Sequence, residues 1–469
     1  MLPFRKKNVA KSKSVLILAY SWPPDFSIGA VRPVYLARQL ARSGWQPIVV
    51  AVREQYYESK NTSGVTGADS ALVIRTHCLP SPRHAYLWVK KWLAWTRRQL
   101  VSAAPNVKFN DGSTPNSQKV VKPAHGWLKG TFLSLLHTPD EFQGWFPFAL
   151  VASLRIIGQH RPDCVISTAP PFTSHLVALV LKRLFGIPWV ADFRDPWTWY
   201  EFHPSEIHYD VSRWINRRLE KMVMQHADRI VCVTPAMTEK YRQLYPNLPD
   251  NKWVTITNGF DLDEFAMLDP VEKSNRFTIS YVGSFAFSRT PQPLLKAIGE
   301  LIAEGRLDRH MVTLRFVGAC QFVGGRPMTE MIAENKLDGI AEIIGVIPRT
   351  DALRESLRAN VLVLLGGTQR LTVAAKIYEY IAARKPILAI VEEGATSDII
   401  RQVGGGRVVA PDDLAGIKDA IAFWYDEYIQ KGQTTEGYQS GSMASSDEFS
   451  WARLGVRYVS VLDECCINQ

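Results

Sequence analysis

Cysteine is scarce in this chain, which has 6 cysteines in 469 residues. No two of them form the CxxC pair typical of zinc sites, and so low a content is typical of proteins that fold in a reducing cytoplasm. Long apolar runs are also missing, and none approaches the roughly 18 residues that a membrane-spanning helix needs. These absences argue against a disulfide-stabilised secreted domain and against an integral membrane protein.

The first residues lack the pattern of a secretory signal peptide. Residues 1–14 carry five basic side chains and no acidic one, but the apolar run that follows ends at Ala19. We therefore expect a first β-strand there. Near the other end, Cys465-Cys466 could accept a lipid, although an unmodified tail fits the sequence better.

The length of the chain predicts more than one domain. A chain of 469 residues exceeds what one hydrophobic core usually supports. Hydrophobic residues make up 46% of it, which is ordinary for a globular protein. We expect a large globular enzyme with two domains.

Positive charge is concentrated in an insertion at about residues 83–136. The chain has a net charge of +10, and residues 83–129 contribute nine Lys or Arg against the single acid Asp111. Aromatic side chains are interleaved with these basic residues. They are Tyr86, Trp88, Trp92, Trp95, Phe109 and Trp127.

Basic residues beside Trp and Tyr suit an anionic membrane surface, where each Lys or Arg contributes about 1 kcal/mol. Nucleic acid is a rival partner, but the chain has no recognisable nucleic-acid-binding motif, so we expect none. A solvated insertion without a partner is the other alternative. We expect a cytoplasmic protein that contacts the inner face of the plasma membrane peripherally.

Strand and helix patterns alternate along most of the chain, which predicts an α/β fold with parallel sheets. The predicted boundary separates residues 1–248 from residues 249–469. The predicted strands of the first part are Val15 to Tyr20, Gln46 to Val52, Cys164 to Thr168, Trp189 to Asp192 and Arg229 to Val233. Those of the second part are Val254 to Ile256, Thr278 to Val282, Thr313 to Val317, Ala341 to Ile344, Val361 to Leu365, Ile387 to Ile390 and Arg407 to Val409.

The most informative stretch is the helix predicted from Lys376 to Ala383. It follows a buried strand and a glycine turn and precedes another strand. Lys376 and Glu379 are three residues apart, so they share one helix face. The lysine could contact a phosphate and the carboxylate could accept hydrogen bonds from ribose hydroxyls. A surface ion pair is the alternative.

Two strand ends in the first part carry candidate functional residues, because α/β proteins place their active groups at such ends. Gly29 lets backbone amides approach a phosphate, and Arg32 could add a charged contact to the donor. Asp192, Arg194 and Asp195 follow another strand and are candidate catalytic residues. Turn geometry and a local ion pair are the alternative explanations.

In the second part, Gly283 and Ser284 follow a strand, so a diphosphate could approach the main chain and Arg289 could neutralise it. Asp261-Leu262-Asp263 matches the D-x-D pattern of metal-dependent sugar transferases. Three-letter matches are common, however, and we expect no metal site.

Taken together, these features resemble the retaining glycosyltransferases of family 4, which adopt the GT-B fold. The resemblance covers nearly the whole chain, and its motifs follow in the order of the family. The motifs are Pro23-Pro24 with Gly29 and Arg32, Val165 to Pro171, Ala191 to Trp197, Thr257 to Asp261, Val282 to Ser284 and Lys376 to Pro386.

The resemblance implies two Rossmann-like domains that face each other across a cleft, with a C-terminal helix packing back toward the first domain. It also implies a nucleotide-sugar donor on the second domain and the acceptor on the first. Glu379 matches the second glutamate of the Glu-x7-Glu signature, which holds the donor ribose. The first glutamate would fall at Leu371. Ser284 stands where an arginine is common, and Arg194 replaces the usual histidine.

The expected chemistry is hexosyl transfer with retention and without a metal or other cofactor. Arg289 and Lys376 would stabilise the leaving diphosphate. The acceptor would be a saccharide or a polyprenyl-linked saccharide in cell-surface polysaccharide or glycolipid synthesis. Two alternatives remain: a catalytically impaired homologue that acts as a binding or assembly subunit, and a sugar-nucleotide epimerase.

Overall fold

Two parallel sheets organise the chain in the computed structural model. The structure describes residues 13–25, 27–57, 71–80, 135–136, 138–199, 210–271, 274–285, 289–367, 370–431 and 443–467. Residues 83–134 of the predicted basic insertion lie outside the described residues. Within the described ranges, no helix is both long and apolar enough to cross a membrane.

The first sheet has seven parallel strands in the order β3-β2-β1-β4-β5-β6-β7. The strands are β1 Ser14–Leu18, β2 Gln46–Val52, β3 Leu72–Thr76, β4 Cys164–Ala169, β5 Trp189–Phe193, β6 Arg229–Cys232 and β7 Trp253–Thr255. The helices are α1 Ile28–Arg42, α2 Phe146–His160, α3 Thr173–Phe185, α4 Asp210–His226 and α5 Pro235–Leu244. The central strands are continuous apolar runs because helices bury both faces of the sheet.

The second sheet has six parallel strands in the order β12-β9-β8-β13-β14-β15, and a separate hairpin joins β10 to β11. The strands are β8 Phe277–Val282, β9 Val312–Val317, β10 Phe322–Val323, β11 Arg326–Pro327, β12 Ala341–Gly345, β13 Val361–Leu365, β14 Ile387–Ile390 and β15 Gly406–Val409. The helices are α6 Leu262–Ala266, α7 Gln292–Ala303, α8 Met328–Glu334, α9 Arg349–Arg358, α10 Lys376–Ala382, α11 Ala395–Val403, α12 Leu414–Gln430 and α13 Trp451–Ile467.

Helix α13 packs on the first domain, as expected from the sequence. Its apolar side chains join those of α1 and β1 in one buried cluster. The Trp451 ring stacks on Tyr35 with centroids 5.2 Å apart. Gly455 allows this close approach, because a Cβ there would lie 2.4 Å from the Cβ of Gln39.

The domain boundary lies later than predicted. Strand β7 pairs with β6 and completes the first sheet, so the boundary predicted between residues 248 and 249 falls too early. The chain crosses between the domains near Phe260 and returns near Phe449. The two crossings are hydrogen-bonded, from Phe260 N to Phe449 O (3.0 Å) and from Trp451 N to Phe260 O (2.9 Å).

Candidate functional site

The second sheet reverses its strand order between β8 and β13, which are neighbours although four strands separate them in sequence. In open α/β sheets, ligands bind beyond the carboxyl ends of the strands at such a point. Helix α10 is fixed there by Tyr380. Its hydroxyl accepts a hydrogen bond from Val282 N (2.9 Å) and lies 3.2 Å from the Val363 carbonyl, to which it can donate.

The Lys376 side chain points into this position. Its ammonium nitrogen is buried and has no hydrogen-bond partner among the described residues. It lies 3.7 Å from the centroid of the Tyr281 ring. Burial lowers the pKa of Lys376 well below its usual value, and the charge of Arg289 lowers it further. An anion bound beside Lys376 and Arg289 would favour the protonated, cationic form of Lys376.

The glycine turn after β8 forms the other wall of this site. Gly283 has a φ of +143°, and a Cβ there would lie 2.9 Å from the Lys376 nitrogen. Ser284 is exposed, and its hydroxyl lies 3.4 Å from Ala319 N. The structure thus brings Gly283 and the adjoining Ser284 close to Lys376, and the charge of Arg289 acts on Lys376.

Glu379 lies one turn further along α10 and is held by Arg349. Its Oε1 atom accepts a hydrogen bond from an Arg349 terminal nitrogen at 2.6 Å. Arg349 also pairs with Glu264 at 2.9 Å. Sequence reasoning missed Arg349 and Glu264, because Arg349 is 30 residues from Glu379 and 85 from Glu264, and isolated charges so far apart carry no signal of contact.

Arg32 and Asp192, predicted at the donor site and the catalytic site, contact each other. They form a buried ion pair with nitrogen–oxygen distances of 2.8 and 3.0 Å. Asp192 also accepts hydrogen bonds from Tyr458 (2.7 Å) and Thr168 (2.8 Å). Burial alone would raise the pKa of Asp192, but the Arg32 charge and these bonds lower it.

The remaining donors of Arg32 bind the first interdomain crossing, at the carbonyls of Ile256 (2.8 Å) and Thr257 (2.7 Å). Neither Arg32 nor Asp192 is more than 2% exposed. The predicted contact of Arg32 with the donor and the predicted part of Asp192 in catalysis stay predictions. Both residues join the first sheet to the crossing and to α13.

Arg194 and Asp195 directly follow the carboxyl end of β5, an inner strand of the first sheet, and Arg194 contacts Gly29. One terminal nitrogen of Arg194 donates to the Gly29 carbonyl at 2.6 Å, and the other to the Pro170 carbonyl. The Nε atom of Arg194 has no partner among the described residues. Asp195 is half-buried, and burial raises its pKa although Arg194 opposes the shift.

Both aspartates of the D-x-D motif form ion pairs with arginines of α1. Arg38 pairs with Asp261 (2.6 Å) and Asp263 (2.8 Å), and Arg42 also reaches Asp263 (3.1 Å). Among the described residues, no cluster of three or more His, Cys, Asp or Glu could hold a metal ion. The motif forms an interdomain ion-pair network.

The loop before α10 contacts the first domain through its main chain. The carbonyl of Leu371 accepts a hydrogen bond from the Thr234 hydroxyl at 2.6 Å. Thr234 also caps α5, since its oxygen accepts from Met237 N at 3.1 Å. At the position where the resemblance implies a first glutamate, the backbone of Leu371 thus bridges the cleft.

Comparison with solved structures identifies the architecture. The sucrose-phosphate synthase of Thermosynechococcus elongatus superposes with a TM-score of 0.61 at 13% identity, over 97% of this chain and 100% of that one. A glycosyltransferase of Rickettsia africae gives a TM-score of 0.59 at 14% identity, over 98% of this chain and 100% of that one. This is the GT-B fold.

A third GT-B structure, Anabaena HepE in complex with UDP, gives a TM-score of 0.58 at 12% identity, over 96% of this chain and 100% of that one. Residues 29–259 match the family model of a glycosyl transferase 4-like domain. The chain has no match among curated protein sequences. The family model covers residues of the first domain, and the solved structures show the GT-B fold of the whole chain.

Proposed function

We propose that this protein transfers a sugar from a nucleoside-diphosphate sugar bound on the second domain. The observation that carries the proposal is the buried Lys376 ammonium, which has no hydrogen-bond partner among the described residues. Burying a charge without a partner is costly, and a diphosphate would supply the missing anion. HepE, which shares the fold, binds UDP and UDP-glucose.

Glu379 is the proposed ribose contact. It lies on the same face of α10 as Lys376, and within the described residues its second carboxylate oxygen accepts no hydrogen bond. A carboxylate can accept hydrogen bonds from the two ribose hydroxyls. Lys376 and Glu379 would thus hold the diphosphate and the ribose of one donor molecule.

The acceptor would bind to the first domain, at Arg194 and Asp195, and Gly29 beside them would let a phosphate of the donor approach the main chain. The free Nε donor of Arg194 and the half-buried Asp195 carboxylate could hold sugar hydroxyls. We propose a saccharide or polyprenyl-linked acceptor, hexosyl transfer with retention, and no metal or cofactor. Lys376 and Arg289 would neutralise the leaving diphosphate.

Binding of UDP, GDP, ADP and dTDP to the full chain, measured by calorimetry, tests the proposal. Lys376→Ala should weaken the preferred nucleotide about 10- to 100-fold, since a hydrogen bond to a charged group contributes about 1.5–3 kcal/mol. Lys296→Ala is the matched control, because Lys296 is an exposed lysine on α7 of the same domain. Failure of all four nucleotides to bind would refute a donor site.

Turnover separates the transferase from the two alternatives. A transferase should consume a nucleotide sugar only with an acceptor present, and nuclear magnetic resonance of the product should show a retained anomeric configuration. An epimerase should convert or hydrolyse the donor without an acceptor. An impaired homologue, which Leu371 and Arg194 would favour, should bind nucleotide without turnover.

We also propose that the protein works on the cytoplasmic face of an anionic membrane. Besides the basic insertion, the exposed face of α4 carries Val211, Trp214, Arg217, Arg218 and Lys221. Arg218 stacks over Trp214 at 4.6 Å. Thr138, two residues after the predicted insertion, lies beside this helix, since the hydroxyls of Thr138 and Ser212 are 2.7 Å apart. A basic aromatic surface of this kind suits a lipid-borne acceptor.

A further inference from the structure

We propose that Arg349 is a positioning residue for Glu379 and that Glu264 in turn positions Arg349. The inference rests on the proposed function, because it concerns how Glu379 would be oriented toward the ribose of the donor. It adds two residues that lie outside every motif recognised in the sequence.

The geometry divides the donors of Arg349 between the two glutamates. One terminal nitrogen binds Oε1 of Glu379 at 2.6 Å. The Nε atom and the other terminal nitrogen both bind Oε2 of Glu264, at 3.2 and 2.9 Å. The two hydrogen bonds to Glu264 fix the plane of the Arg349 guanidinium. The terminal nitrogen that binds Glu379 therefore has a defined direction.

In this arrangement only one carboxylate oxygen of Glu379 is hydrogen-bonded within the described residues. Oε1 is held by Arg349, and within the described residues no hydrogen bond reaches Oε2. A carboxylate held by one oxygen keeps its orientation and presents the other oxygen to a ligand. Pre-orientation of this kind increases affinity because less conformational freedom is lost on binding.

The three side chains are largely removed from water. Their exposed fractions are 19% for Arg349, 11% for Glu264 and 25% for Glu379. Burial opposes the charge of Arg349, but the carboxylates of Glu379 and Glu264 raise its pKa well above the usual value. Arg349 thus remains a cation that holds two carboxylates together, and its loss would leave two partly buried anions to repel each other.

The three residues come from separate elements. Arg349 is the first residue of α9, Glu379 lies in α10, and Glu264 lies in α6, directly after the first interdomain crossing. Burial, and after it the charge of Glu264, raises the pKa of Tyr35 of α1. The orientation of Glu379 therefore depends on the linker between the domains as well as on the second domain.

The experiment compares UDP with 2′,3′-dideoxy-UDP, or the corresponding pair for whichever base the protein prefers. Dissociation constants are measured by calorimetry for the wild type and for Glu379→Ala, Arg349→Gln, Arg349→Lys and Glu264→Gln. Arg354→Gln is the matched control, because Arg354 is an ion-paired arginine on the same helix. Thermal melting confirms that each variant is folded.

A positioning role has a specific signature. The wild type should prefer the ribonucleotide by about tenfold or more, and Glu379→Ala should abolish that preference. Arg349→Gln should reduce it at least about threefold, and Glu264→Gln should reduce it in the same direction. Arg349→Lys should keep more of the preference than Arg349→Gln does, because lysine is a charged N–H donor but lacks the planar guanidinium. Arg354→Gln should leave it unchanged.

Equal losses for both nucleotides in Arg349→Gln and Glu264→Gln would show a purely structural ion pair and overturn the inference. An unchanged preference in both variants would also overturn it. If Arg349→Gln does not fold, the result for Glu264→Gln decides. A wild type that binds no nucleoside diphosphate would instead refute the proposed function, so the two failures are distinguishable.

Discussion

The ammonium nitrogen of Lys376 lies 3.7 Å from the centroid of the Tyr281 ring. The ring face attracts the cation electrostatically, which partly compensates for its removal from water. Tyr281 belongs to β8 and Lys376 begins α10, so the contact joins the two elements that meet where the strand order reverses. The Tyr281 ring thus stabilises the charged form of Lys376 in part.

The lowered pKa of Lys376 predicts that nucleotide binding takes up a proton. Burial and Arg289 lower this pKa in the free protein, and a bound diphosphate would raise it again. Above the lowered pKa, affinity should therefore fall as pH rises, by up to about tenfold per pH unit. Calorimetry in buffers of different ionisation enthalpy, above about pH 7.5 where the phosphates are ionised, measures the uptake.

Lys376→Arg provides the comparison for this measurement. A guanidinium remains charged throughout the pH range, so this variant should bind nucleotide without proton uptake. Absence of proton uptake in the wild type, as in Lys376→Arg, would contradict the strongly lowered pKa of Lys376 in the free protein.

Gly283→Ala should weaken nucleotide binding more than it affects folding. The new methyl group would lie 2.9 Å from the Lys376 nitrogen and would displace it. Gly305→Ala is the control, because Gly305 also has a positive φ, at +70°, but a methyl group there would extend into open space. Both variants should lose about 1 kcal/mol of stability. A normal nucleotide affinity in Gly283→Ala would argue against a site at this turn.

Asp192→Asn should destabilise the first domain by about 3–5 kcal/mol, because it leaves the buried Arg32 without its counter-charge. Denaturant unfolding followed by tryptophan fluorescence measures the change. Asp463→Asn breaks an exposed ion pair with Lys13 and should have no measurable effect.

The pH dependence of this ion pair has a defined sign. The folded pKa of Asp192 is lower than its usual value of 3.8. The stabilisation is therefore complete above that value and is lost as the pH falls below it. The difference between the wild type and Asp192→Asn should shrink in the same range, and a constant difference would contradict the lowered pKa.

Replacement of Arg217 and Arg218 by glutamate should weaken binding to vesicles that contain anionic lipid. Each basic side chain contributes about 1 kcal/mol at such a surface, and salt screens the attraction. Sedimentation with vesicles at low and high salt measures the effect. Lys296→Glu should have little influence, because it changes an exposed lysine on the other domain. If the wild type does not sediment with anionic vesicles, the membrane proposal is wrong.

Continuous apolar runs made most strands predictable. The predicted strand Gln46 to Val52 has the observed bounds, because its buried residues give a strong local signal. Leu72–Thr76 was missed, since this edge strand is mostly half-buried and its pattern is weak. The short strand Trp253–Thr255 was assigned to the wrong domain, because three residues do not specify which sheet they join.

The residues of the candidate site also differ in how far local sequence could predict their roles. Lys376 and Glu379 could be placed on one face from sequence, because helix periodicity is local. Arg32 and Asp192 also resembled functional residues, since charges at strand ends have the same pattern whether they bind a ligand or each other. The structure shows that they bind each other in a buried position that depends on α13, more than 200 residues away.

The sequence by itself determined the two-domain α/β architecture, the glycine turns and the shared face of Lys376 and Glu379. Each of these follows from periodicity or composition over a short stretch of chain. Only the tertiary structure decided that Arg32 pairs with Asp192 and that Arg349 holds Glu379. Such pairs form because packing excludes water from charges that are remote in sequence, and a buried charge needs a partner wherever the fold places one.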